Sequence, residues 1–195
     1  MDLLIKIIKR FWIINCFGIF VLSACTPASS QEKLLTPKEG NFSILMPGTI
    51  LEEVTSPGKG INNRNWTTIK SESIYSVTHS TFTKQIAPQK IPKVLQLLIK
   101  AANKTNFIQG KQVSQSSVNK SGYNCQDFTL MGKPSTYLQK EFKKKGLNIN
   151  NQLFYQRSLL CMKNNYAVEA VIITPSSEEL KTNGASFIKS LNLKA

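Results

Sequence analysis

Histidine and acid are scarce in this chain. One histidine, His79, and 11 Asp plus Glu stand against 25 Lys plus Arg in 195 residues. Beyond residue 24, Asp127 is the only aspartate. General acid–base chemistry and metal binding both need a second group within reach, a carboxylate beside the base or a further ligand beside the first. The nearest acid to His79 in sequence is Glu72, so His79 reads as a structural strand residue. Gly-x-Ser-x-Gly, a Walker loop, zinc-ligand spacing and Cys-x-x-Cys are all absent, as is any internal repeat. The chain therefore reads as a non-enzyme with no cofactor and no metal. Arginine is scarce as well: only Arg64 and Arg157 occur after residue 24. The formal charge of +14 is thus a diffuse lysine field, suited to anionic headgroups or an acidic protein surface rather than to nucleic acid.

What is present is an address. Lys6, Lys9 and Arg10 make a positive start, and Phe11 to Val21 is apolar apart from Asn15, Cys16 and Gly18. Leu22-Ser23-Ala24-Cys25 follows, small residues before a cysteine, as a signal peptidase requires. The stretch is shorter than the roughly 20 apolar residues of a membrane span. These residues resemble the leader of bacterial lipoproteins, with residues 1–24 as the signal peptide. The resemblance implies that Cys25 is lipidated and becomes the mature N-terminus. One acyl chain anchors only marginally, whereas the three such a cysteine carries hold a protein permanently. Thr26 stands where an Asp retains lipoproteins on the inner membrane, which favours the outer one. Cleavage would leave 171 residues, one domain, and would remove three basic residues and one acid, giving +12.

Residues 25–39 (with TPASSQEKLLTPK over 26–38) read as a flexible tether, and residues 40–195 as a single domain. Asn41 to Met46 alternates at period two and stops at Pro47-Gly48, a strand and a turn. Thr49 to Val54, Arg64 to Lys70 and Ser73 to Phe82 are further strands, with a loop over residues 56–60. The period then changes: Val94, Leu97, Leu98 and Ala101 predict an amphipathic helix over 91–104, with Pro92 in its first turn. Strands over 111–118, 124–131 and 147–162 follow, and a tight turn at Lys163 to Asn165 leads into a strand over 166–174. Ser176 and Glu179 have capping-box spacing, opening a last helix in which Gly184 marks a kink. The class is α+β, a mainly antiparallel sheet with two covering helices.

Four phrases in order carry a second resemblance: EGNFSILMPG at 39–48, YSVTHSTF at 75–82, SGYNCQDF at 121–128 and SFIKSLNL at 186–193. They resemble a family of exported bacterial lipoproteins of cyanobacterial type. This likeness implies a PsbP-like (MOG-like) α/β/α sandwich, a fold of photosystem-associated extrinsic proteins and of a nuclear-transport factor, with binding and assembly roles. Two departures stand out. Asn124-Cys125 replaces the family's Pro-Gly, and KPSTYLQKEFKKKG occupies the connection after residue 131.

With Cys16 lost with the leader and Cys25 acylated, Cys125 and Cys161 remain, an even pair suited to an oxidising compartment. If the strands carrying them pair antiparallel with these residues opposed, Phe128 faces Ser158 and Leu130 faces Gln156. The turn then centres on residue 143. A structural disulfide is the expectation; two buried thiols or a redox-active pair are its alternatives. Lys140, Lys143, Lys144 and Lys145, interleaved with Tyr137 and Phe142, read as a hairpin tip able to contact lipid or a partner protein. The functional expectation is a membrane-anchored extracytoplasmic module that binds or assembles with a protein partner. A thiol–disulfide protein and a carrier of a small apolar ligand are the competing readings.

Overall fold

The computed structural model describes residues 32–58, 60–149 and 152–194. The expected leader, Cys25 and the first part of the tether lie outside them. Among the described residues, ten strands form two sheets. The larger is built from β3 (Leu51–Gly58), β4 (Ile61–Lys70), β5 (Ser73–Phe82), β6 (Phe107–Lys120), β7 (Tyr123–Pro134), β8 (Phe154–Lys163) and β9 (Tyr166–Thr174). Its order is β3-β4-β5-β9-β8-β7-β6, antiparallel throughout. Two meanders, β3 to β5 and β6 to β9, meet at the β5–β9 seam. The helix α1 (Ile91–Asn106) joins them.

The period-two reading explains both faces of this sheet. On β5, Ile74, Ser76 and Thr78 point one way, while Tyr75, Val77 and His79 point the other. Both sets are buried, as befits a strand covered on two sides. The first face packs under α1 and α2 (Thr136–Lys144), through Val94, Leu95, Leu98, Leu138 and Phe142. The second packs against the small sheet and the C-terminal helix, through Phe42, Ile44, Met46, Phe187 and Ile188. The small sheet is β1 (Glu32–Leu35), β2 (Phe42–Pro47) and β10 (Asn192–Leu193), with β2 in the middle. The alternation of FSILM thus buries Phe42, Ile44 and Met46 on one side.

The C-terminal helix runs in three pieces. An α turn, α3 (Ser177–Glu179), leads into a π segment (Leu180–Gly184) and then α4 (Ala185–Ser190). Ser176 caps it, its Oγ accepting from the Glu179 amide at 3.1 Å. The kink expected at Gly184 is this π segment. A Cβ on Gly184 would lie 3.0 Å from Ile172 Cδ1, so the irregularity also brings backbone close to the sheet.

Four expectations need correction. Glu32–Leu35, read as tether, is a strand paired with β2 from Glu32↔Pro47 to Leu35↔Ile44. Ser56 to Gly58, read as loop, continues β3 through a bulge. The strand expected from residue 147 begins at Phe154. Most important, the KPSTYLQKEFKKKG connection is not a hairpin tip but holds a helix. Ser135 caps α2 by accepting from the Leu138 amide at 3.2 Å, and Leu138 and Phe142 bury one side four residues apart. Gly146 closes it with φ +78°.

Candidate functional site

Cys125 and Cys161 are bonded in a disulfide. They are direct partners in the β7–β8 ladder, with Phe128 opposite Ser158 and Leu130 opposite Gln156. The register read from the sequence is therefore the observed one. Both residues are buried, at 2% and 0% exposure, so no thiolate from solvent can reach either sulfur without local opening. His79 is buried too: its ring stacks on Tyr166 at 6.0 Å and lies 6.1 Å from Phe42. Burial, helped by the nearby Arg64 charge, holds its pKa below the usual value, against the pull of Glu39.

The lysine-rich segment divides. Phe142 is not a contact residue: it is fully buried, edge-on to Phe154 at 5.3 Å. Lys140 and Lys143 are exposed, and Lys144 holds Glu141 at 2.7 Å. Tyr137 and Lys145 are half-buried and line a cleft. Five of these six positions thus belong to the amphipathic α2, with Lys140, Lys143 and Lys144 on its outer side, and Lys145 follows its last turn.

The cleft, about 110 Å³, lies between α2 and the β4–β5–β9 part of the sheet. Its floor follows from strand register. Asn65 opposes Thr78, and Thr78 opposes Glu169, so one row crosses three strands. The next row is Thr67, Ser76 and Val171. Asn65 organises the hydroxyls: its Oδ1 accepts from Ser76 Oγ at 2.6 Å and from Thr78 Oγ1 at 3.1 Å. Ile74, Val171, Ile173 and Leu138 supply apolar walls. At one end Asn106, the last residue of α1, donates to Gln156 Oε1 at 2.8 Å.

Two carboxyl groups face this cleft. Glu169 is 7% exposed and Glu141 8%. Glu169 Oε1 and Glu141 Oε2 have no hydrogen-bond partner among the described residues. Desolvation pushes the Glu169 pKa up to about 7, although a hydrogen bond with Ser158 opposes the rise. Buried carboxyl oxygens are normally satisfied, so two such groups lining one cleft stand out among the described residues. The sequence reading missed both glutamates. Glu169 sits at an inward position of an otherwise apolar strand, YAVEAVIIT, and that misplacement was the available signal. Among the described residues no group of three His, Cys, Asp or Glu could hold a metal ion. No described helix is long and apolar enough to cross a membrane.

No known family model and no curated protein sequence matches the chain. Solved structures do. The solution structure of cyanobacterial PsbP (CyanoP) from Synechocystis sp. PCC 6803 aligns with a TM-score of 0.51 at 9% identity, over 93% of this chain and 98% of that one. The Ran-binding protein Mog1p of Saccharomyces cerevisiae gives 0.48 at 8% identity, over 85% and 96%. LpqN of Mycobacterium tuberculosis, involved in cell envelope biogenesis, gives 0.45 at 13% identity, over 87% of each. At such identity a likeness is one of architecture, and the architecture is the expected one: the chain has the PsbP-like α+β fold.

Proposed function

We propose that the chain is an exported lipoprotein, held on a membrane by acyl chains on Cys25, whose domain binds a partner rather than catalysing a reaction. It faces the periplasm or another extracytoplasmic space, on the outer membrane in preference to the inner. One observation carries the location: the Cys125–Cys161 disulfide. Such bonds persist in oxidising compartments, and a leader ending at Cys25 sends a chain to one. The outward lysines of α2 supply a contact surface. Near an anionic membrane each adds about 1 kcal/mol; on a protein they suit an acidic patch. Burial of both sulfurs removes support from the thiol–disulfide reading, since exchange needs an accessible sulfur. A carrier role for a small ligand is favoured by the cleft at Glu169.

Labelled palmitate added to living cells should enter the wild-type protein and not Cys25→Ala. Cross-linking in the same cells should recover a protein adduct that weakens in Lys140→Glu/Lys143→Glu. A wild-type protein that stays unlabelled in the cytosol contradicts the address. Adducts to lipid alone contradict the partner.

A further inference from the structure

We propose that the cleft between α2 and the β4–β5–β9 floor binds a small organic ammonium ion, its N–H donors directed at Glu169 and Glu141. This goes beyond the anchored-module reading and does not depend on the lipid. Both glutamates line the cleft and are more than nine-tenths buried, and each keeps one enclosed carboxyl oxygen without a partner among the described residues. The Asn65, Ser76 and Thr78 side chains already satisfy one another, so the open valences on this floor are carboxyl oxygens, which call for donors.

The apolar walls set the rest of the ligand. Ile74, Val171, Ile173 and Leu138 favour a hydrocarbon body over a hydrated inorganic cation. A cavity of about 150 Å³ takes a benzene ring, so the 110 Å³ here suits a body of about four to six non-hydrogen atoms. A quaternary ammonium fits less well, because it has no N–H to satisfy the oxygens. Other charged and titratable groups facing the pair come from α2 and its end: Tyr137, Lys144, which holds Glu141, and Lys145 at the mouth. The floor strands β4 and β5 add only amide and hydroxyl groups, and β8 adds Ser158.

The site carries a proton signature. Glu169 titrates near 7, and only its ionised form attracts the cation. With Glu169 about one-tenth ionised at pH 6 and nine-tenths at pH 8, affinity should rise about tenfold between them.

Isothermal titration of the purified full chain with n-butylammonium chloride tests this, with n-butanol, butyrate and tetramethylammonium as controls. Expected are one saturable site for n-butylammonium, about tenfold tighter at pH 8 than at pH 6, and at least tenfold weaker binding of every control. Glu169→Gln, whose amide replaces a protonated carboxyl of the same shape, should abolish the pH dependence and weaken binding at pH 8 at least tenfold. Glu141→Gln should weaken binding and keep the pH dependence; its melting curve checks the fold. Equal binding of n-butanol overturns the proposal in favour of a neutral hydroxyl ligand. Equal binding of tetramethylammonium overturns the N–H requirement. No saturable heat from n-butylammonium at pH 8 overturns the site. These outcomes are separable from the palmitate result, because the titration is indifferent to lipidation.

Discussion

Glu169 titrates near 7, against 4.5 for an ordinary glutamate, because its strand carries it into the covered face of the sheet. The folded state therefore holds this proton more tightly than the unfolded chain between those values. Its contribution to stability is complete below about pH 4.5 and is lost as pH rises through about 7. Urea titrations of wild type and Glu169→Gln at pH 5 and pH 8 should differ in pH response by about 2–3 kcal/mol, wild type losing more. A matching response in both proteins would mean that folding does not perturb Glu169. His79 acts in the opposite sense, its pKa lowered by burial, so its contribution fades as pH falls; comparing the two proteins cancels it. Gly184 gives a second residue-scale test. Its φ of −64° is helical, so Ala would gain about 1 kcal/mol by propensity. Its Cβ would press on the fully buried Ile172 at 3.0 and 3.1 Å. Crowding in a packed core costs about 1–3 kcal/mol, so Gly184→Ala should lower the denaturation midpoint. A raised midpoint would show that Ile172 can yield.

Among the α-helices, α2 was the one the sequence analysis lacked. Its signals were local: a capping Ser135, apolar Leu138 and Phe142 four apart, lysines in the last turn and Gly146 beyond it. Four lysines and a symmetric cysteine register centred on residue 143 suggested a tip instead. The register itself was sound, yet it says nothing about what is inserted between Pro134 and Phe154. Ser135 also donates to the Thr105 carbonyl at 2.5 Å, tying the α2 start to the end of α1. Ser135→Ala should cost about 1 kcal/mol as a lost cap, measured by urea denaturation; no change would leave α2 held by its apolar side alone. The β7–β8 pair has its own test. The disulfide spans 36 residues, and the chain-entropy account gives about 3–4 kcal/mol for closing such a loop. Replacing both cysteines by alanine should cost about that much. A cost near zero would mean that strand pairing alone fixes the register.

For the whole molecule, the period-two pattern of Asn41 to Met46 and the helical period expected over 91–104 marked the buried sides of β2 and α1 correctly. They did so because burial on a known side is what periodicity records. The cleft was not legible, because it depends on rows across β4, β5 and β9 that only register brings together. Tyr137 and Lys145 were picked for a surface role and line that cleft instead. The strand over Glu32–Leu35 also escaped, being mostly exposed and short. The fold itself supplies a cross-linked body, a cleft lined by two glutamates with unpartnered oxygens, and a helix with outward lysines. The most direct test of the account is the intact mass of the protein extracted from membranes of cells that express it. The account predicts a chain beginning at Cys25, heavier by a diacylglyceryl group and an amide-linked acyl chain, and lighter by two hydrogens for Cys125–Cys161. A chain that keeps residues 1–24, or one that is unacylated with both thiols free, would contradict it.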